Sequence, residues 1–155
     1  MKPIITKIIL CAVMAFASLT ANAQMKEFEK YSDTKNVTYV YISKYMLKLA
    51  GKAAAPSMPG VDAKSIMNKL TGIQIITAEE QSAAARLKTD TQNIVKNGKY
   101  ELLMQVDEDD EKVRIYHKES KTQSVVVMLT EEDGETTVII FSGTFSLEDV
   151  MKMKE

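Results

Sequence analysis

The sequence predicts an α+β fold: a single domain with a mainly antiparallel sheet that ends in a four-stranded meander, with helices packed mainly on one face. Three observations support this prediction. Four apolar or alternating runs follow one another over residues 100–143, joined by short connections. A long amphipathic helical pattern precedes them at residues 77–97. The β-branched and aromatic residues at 37–42 add an earlier strand.

The chain after this first strand has the pattern of a short helix and a loop. Ser43 is a predicted N-cap, because its hydroxyl can accept a hydrogen bond from a free N–H of the first turn. The helix is predicted at 44–50, with Gly51 as its stop. Residues 52–60 contain three alanines and two prolines and fit neither periodicity, so they predict a loop.

A second helix is predicted to begin at Asp62 and to end before Gly72. Ile66, Met67 and Leu70 form its apolar face. A compact strand at 73–76 follows it.

The strongest helical pattern follows this strand. Thr77 and Glu80 have the spacing of a capping box, in which the hydroxyl and the carboxylate each satisfy a free backbone N–H. Asn97 and Gly98 supply the stop. The apolar residues fall on one side of this helix: Ala83, Ala84, Leu87, Ile94 and Val95.

The four meander strands are predicted at 100–106, 112–118, 122–130 and Glu135–Gly143. Alternation places Tyr100, Leu102, Met104 and Val106 on one side of the first. The third and fourth are apolar on both sides, which predicts a central position or a second face that meets a partner or the C-terminal helix. Ser146 and Asp149 have the spacing of a final capping box.

The N-terminus has the three parts of a secretory signal peptide. Lys2 and Lys7 precede an apolar run at 8–19, and the small residues Ala21 and Ala23 fit a signal peptidase. The run is shorter than the roughly 20 residues of a membrane-spanning helix. We therefore expect cleavage between Ala23 and Gln24 and a single exported domain over residues 24–155.

Cleavage changes the chemistry that the chain can support. The only cysteine, Cys11, is removed, so the mature domain has no thiol for disulfides, catalysis or metal binding. Two of the 20 basic residues and none of the 21 acidic ones are removed, which leaves a net charge of −3. This composition argues against nucleic-acid binding, and no remaining stretch predicts an integral membrane segment.

Several phrases of the mature chain resemble a known family. They are VTYVYISKYML at 37–47, YELLM at 100–104, VRIY at 113–116, VVVM at 125–128 and FSGTFSLED at 141–149. Together they resemble the exported bacterial domain-of-unknown-function family numbered 4252, over essentially the whole mature chain. The resemblance implies a small envelope protein with no established reaction and supplies no functional residues. Some members are lipid-anchored, but no cysteine follows the cleavage site here, so we expect a periplasmic or secreted protein without a lipid anchor.

His117 is the only histidine and is the first candidate for chemistry. Imidazole titrates near neutrality and serves as a general base or a metal ligand. Without a second histidine or a cysteine, neither a zinc site nor a serine–histidine–acid triad has enough partners. A structural histidine at the end of a strand is the favoured interpretation.

Two acidic turns are the second candidate. The weak metal candidates are Asp107, Asp109, Asp110, Glu132 and Asp133, from turns that a meander brings to one end of the sheet, roughly 10 Å apart. Such oxygen ligands suit calcium, but the spacing is not that of an EF-hand. Ordinary solvated hairpin turns are the favoured interpretation.

Two functions remain open. The first is a non-catalytic exported envelope protein that binds a protein or a cell-surface component through the sheet or through the strand that carries Tyr39 and Tyr41. The alternative is a cation-dependent hydrolase that uses the acidic turns. The chain has no catalytic signature, so we expect no enzyme and no cofactor; the sequence specifies neither the partner nor the oligomeric state.

Overall fold

The computed structural model describes residues 25–53 and 67–151 of the 155-residue chain. The predicted signal peptide, its cleavage site at Ala23 and Gln24, and the predicted cap at Asp62 lie outside the described residues. Most of the predicted loop at 52–60 also lies outside them.

Six strands form one open sheet in which every neighbouring pair is antiparallel. The strands are β1 (Val37–Ser43), β2 (Leu70–Ala78), β3 (Glu101–Asp107), β4 (Glu111–Glu119), β5 (Ser124–Glu132) and β6 (Glu135–Gly143). Their order across the sheet is β1-β2-β6-β5-β4-β3. The predicted meander is therefore confirmed, and β5 and β6, which are apolar on both sides, occupy central positions.

The described helices complete an α+β fold, as the sequence predicts. They are α1 (Lys26–Glu29) with a 3-10 turn (Lys30–Asp33), α2 (Lys44–Ala53), α3 (Gln81–Asn97) and α4 (Leu147–Met151), and residues 67–69 are also helical. Two caps are as predicted. The Ser43 hydroxyl lies 3.4 Å from the Met46 N–H, and Ser146 and Asp149 exchange side-chain to backbone hydrogen bonds of 3.2 and 2.8 Å. The predicted stop at Gly51 is wrong, because α2 continues to Ala53.

The segment before α3 differs from the prediction, because pairing on both edges of β2 outweighs local helix signals. Leu70 and Gly72 belong to the strand rather than to the end of a helix. Thr77 is not an N-cap; it pairs with Thr38 on one side and Thr137 on the other. The residue that caps α3 is Glu80, which makes no side-chain cap hydrogen bond.

A β-bulge corrects the predicted faces of β3. The register shifts between Leu102 and Met104, so that Leu102 pairs with Tyr116 and Met104 with Ile115. Because adjacent residues of β4 point to opposite faces of the sheet, Leu102 and Met104 do so as well. The two residues therefore do not share one side, contrary to the simple alternation of the sequence.

Helix α3 covers one face of the sheet, which we call the covered face. The apolar side of α3 is as predicted: Leu87 is fully buried, and Ala84 and Val95 are nearly so. It packs on alternate residues of the central strands, and Phe28 and Tyr31 from the N-terminal helices join the same cluster. The fully buried strand residues of this cluster are Ile76, Ala78, Val127, Val138 and Ile140. Helices α1 and α3 and the 3-10 turn thus lie on the covered face, whereas Leu47 of α2 packs against the opposite face.

Two polar contacts hold the N-terminal segment against the covered face. The buried Gln74 amide accepts a 2.8 Å hydrogen bond from the Met25 N–H and donates to the Met25 carbonyl (3.3 Å) and the Tyr39 hydroxyl (2.9 Å). The Tyr31 hydroxyl donates to Asp90 on α3. Burial, reinforced by this hydrogen bond, raises the pKa of Tyr31. The Gln74 side chain thus gives the N–H and the carbonyl of Met25 hydrogen-bond partners that burial would otherwise deny them.

Candidate functional site

The face opposite α3 carries one continuous row of apolar side chains across all six strands. The register pairs each member with the next from one edge of the sheet to the other. The row consists of Val40, Ile75, Ile139, Met128, Ile115 and Met104. We call this side of the sheet the open face and this set of residues the apolar row.

In the central strands β2, β5 and β6, exposure distinguishes the apolar row from the residues next to it in sequence. Val40 and Met104, at the two edges, are 40% and 41% exposed, and the four inner members are half-buried. In β2, by contrast, the neighbouring Ile76 is 0% exposed under α3. The described helices therefore do not seal the open face along this row.

On four of the six strands, one side of the apolar row is lined by hydroxyl groups. The next row toward the acidic turns follows the register through Thr38, Thr77, Thr137 and Thr130. The hydroxyls of Thr77 and Thr137 lie 3.3 Å apart and can hydrogen bond to each other. The apolar strip thus has a polar border that could hydrogen bond to a bound partner.

The other side of the apolar row is closed by a small core. Leu47 of α2 packs there with Leu70, Val126 and Phe145. Phe145 is positioned by the chain turn after β6, where the Thr144 N–H donates a 2.8 Å hydrogen bond to the Lys69 carbonyl. This end of the open face is therefore covered, which confines the accessible strip to the apolar row and the threonines.

His117 belongs to the closed end rather than to an accessible site. It pairs with Val126 and Glu101 across the sheet and is only 4% exposed. Its Nε2 atom has no hydrogen-bond partner among the described residues. This burial fits the structural interpretation better than a general base, which must reach a proton of a substrate.

The acidic turns do lie at one end of the sheet, since Glu111 pairs directly with Glu132. Asp107 makes a 2.6 Å ion pair with Arg114. Hydrogen bonds from Gln105 and Arg114 lower the pKa of Asp107, so this carboxylate is already engaged.

The other weak candidates share a shallow depression beside α3. Asp109, Asp110, Glu132 and Asp133 line it together with Lys88 and Lys112. Lys88 is 2.7 Å from the carboxylate of Glu131. These ammonium groups neutralise part of the acidic charge and weaken the attraction for a cation.

Asp133 has a structural role that needs no ligand. It has φ 49° and Gly134 has φ 82°, as a two-residue hairpin turn requires. Within the two described stretches, no group of three or more histidine, cysteine, aspartate or glutamate residues is arranged to hold a metal ion. The turns are thus brought together without forming a defined coordination site in that part of the chain.

The apolar row itself was missed by sequence reasoning. Alternation describes the two faces of a single strand, but pairing between distant strands decides which residues align. A signal is present in the third and fourth meander strands, whose second apolar face predicts either a central position or contact with a partner or the C-terminal helix.

Comparisons with known proteins identify a family and nothing closer. A family model described as "Domain of unknown function (DUF4252)" matches residues 31–153. Searches of curated proteins and of solved structures return no match. Among the described residues, no helix has the length and apolar character that crossing a membrane requires.

Proposed function

The chain belongs to the DUF4252 family, a domain of unknown function, and from that premise we propose that it is a non-catalytic exported envelope protein. It binds another protein or a cell-surface component through the open face. The observation that carries this proposal is the apolar row, which runs across all six strands without a described helix sealing it.

The composition of the open face supports binding rather than catalysis. Interfaces between proteins combine an apolar centre with a polar border. The apolar row supplies the centre, and the hydroxyls of Thr38, Thr77, Thr137 and Thr130 supply the border on one side. No charged side chain lies in either set, so a partner would desolvate few groups that strongly prefer water.

Site-directed photo-crosslinking tests this proposal. The photoreactive amino acid p-benzoylphenylalanine replaces Met104 on the open face, and in a matched control it replaces Leu102, which the bulge turns to the other face. Both positions are exposed on the same edge strand. After irradiation in the native envelope, we expect a discrete adduct from position 104 and none from position 102. Equal adducts, or none at position 104, would contradict binding through the open face.

The cation-dependent hydrolase is the alternative, and no feature of the acidic end favours it specifically. A calorimetric titration with calcium tests it, with Asp109→Asn and Asp133→Asn as the matched variants. Heat that both variants reduce would support this alternative. The absence of heat, together with an unchanged melting temperature, would remove it.

A further inference from the structure

Helix α2 presents a second apolar surface that points away from the sheet. Its buried side is Leu47, which packs at the closed end of the open face. On the outside, Tyr45, Met46 and Leu49 are 80%, 59% and 62% exposed. These residues stand on a convex helix and not in a groove.

The charge of α2 is entirely positive. The helix sequence KYMLKLAGKA contains no acidic residue. Lys44 and Lys48 flank the exposed apolar side chains, are themselves exposed, and form no ion pair within the described part of the chain. Apolar residues interspersed with lysines are typical of helices that lie in the interface of an anionic bilayer.

The two ends of the sheet differ in charge. Helix α2 begins directly after Ser43, where β1 pairs with Gly72. The acidic turns lie at the other end, where Glu111 pairs with Glu132. An anionic surface would therefore attract the α2 end and repel the acidic end, which would orient the whole molecule.

We propose that α2 docks the protein on the surface of an anionic lipid bilayer. Tyr45, Met46 and Leu49 enter the headgroup region, while Lys44 and Lys48 contact lipid phosphates. A fluid surface accommodates protruding apolar side chains, whereas a protein partner would need a matching pocket for them. Each lysine near such a surface strengthens binding about fivefold. This surface is separate from the apolar row, so lipid docking and partner binding can succeed or fail independently.

Tryptophan fluorescence gives a direct test, because the chain contains no tryptophan. The full chain with Leu49→Trp is mixed with vesicles of phosphatidylcholine and phosphatidylglycerol in equal parts, and with vesicles of phosphatidylcholine alone. We expect a blue shift with the anionic vesicles, which high salt reduces. Leu103→Trp, exposed on β3, is the matched control and should not shift. The proposal is overturned if position 49 shows no shift, or if both positions shift equally.

Charge variants test the electrostatic part by vesicle co-sedimentation. Lys44→Gln with Lys48→Gln should weaken binding to the anionic vesicles about thirtyfold. Lys35→Gln with Lys112→Gln removes the same charge from exposed positions at the other end and should change binding little. Melting temperatures of both double variants establish that the fold is retained. Equal weakening in the two double variants would mean that net charge and not α2 governs binding, which would contradict the proposal.

Discussion

The two faces of this sheet are built from the same strands and are similarly apolar, yet the described helices seal only one of them. In β2, Ile76 is fully buried beneath α3, whereas its neighbour Ile75 is half-buried on the open face. In β5, Val127 and Leu129 are buried and Met128 between them is not. The difference shows that an apolar strand face is able to pack against another element. Whether it is buried depends on the presence of an element that covers it.

The division has an energetic meaning. Each Å² of apolar surface removed from water stabilises a fold by about 25 cal/mol. On the covered face, packing against α3 removes the apolar side chains from water, so this stabilisation is already part of the folding free energy. On the apolar row part of the apolar surface stays in contact with water, and under the proposed function a partner would remove it.

The largest expected effect contrasts the two faces directly. Leu87→Ala, in α3, should lower the free energy of unfolding by about 3 kcal/mol, because it opens a cavity where the side chain is fully buried. Ile139→Ala, half-buried in the apolar row, should cost about half as much. Urea denaturation measures both. Equal losses would show that the open face is sealed in solution and would remove the contrast.

A smaller effect is expected at Gln74, whose side chain holds the N-terminal segment on the covered face. Gln74→Leu leaves the N–H and carbonyl of Met25 without the side-chain partner that they have in the structure. We expect a loss of about 2 kcal/mol in unfolding free energy, together with faster amide exchange at Met25. Gln92→Leu, at an exposed position on α3, should change stability by less than about 0.5 kcal/mol. An unchanged unfolding free energy in Gln74→Leu would show that these hydrogen bonds do not stabilise the fold.

The closed end of the open face should respond to acid. Hydrogen bonds from Lys69 and Ser146 lower the pKa of Asp149 to about 2, below its ordinary value of 3.8. A depressed folded-state pKa stabilises the fold above about pH 4, and this contribution is lost as the pH falls through about 2. Asp149→Asn should therefore be less stable than the parent at neutral pH, with the difference vanishing near pH 2. A difference that stays constant across that range would contradict this assignment.

The smallest effect on stability should come from the exposed ends of the apolar row. Val40→Ser with Met104→Ser should change the unfolding free energy by at most about 1 kcal/mol, because both side chains are already in contact with water. The same double variant should bind less of a fluorescent dye that recognises apolar surface. Leu102→Ser, on the other face of β3, serves as the control. Unchanged dye binding in the double variant would place the accessible apolar surface elsewhere.

Local signals in the sequence predicted much of the fold. The hydroxyls of Ser43 and Ser146 are caps, as expected, because each serves backbone groups a few residues away. The apolar side of α3 and the meander were also predictable, since each rests on periodicity within one segment. The same holds for the meeting of the two acidic turns, which follows from the alternation of directions in a meander.

The remaining features depend on partners that are distant in sequence. Thr77 has the local pattern of a cap but lies between β1 and β6, and two ladders of backbone hydrogen bonds outweigh one side-chain bond. The alignment of Val40 with Ile75 and Ile139 depends on the registers of separate strand pairs. The outward surface of α2 could not be recognised either, because its amphipathic pattern gives one buried side and does not show that Tyr45 and Leu49 stay exposed.

The bulge in β3 has a consequence for the molecule in a crowded solution. This edge strand places three exposed apolar residues in succession, 102–104, and a straight edge of that kind invites further chains to add themselves as new strands. The shift between Leu102 and Met104 interrupts the regular spacing of backbone donors and acceptors that an incoming strand would need. The irregularity thus makes this edge a poor template for an added strand, and we expect deletion of Leu103 to increase aggregation, which light scattering would measure.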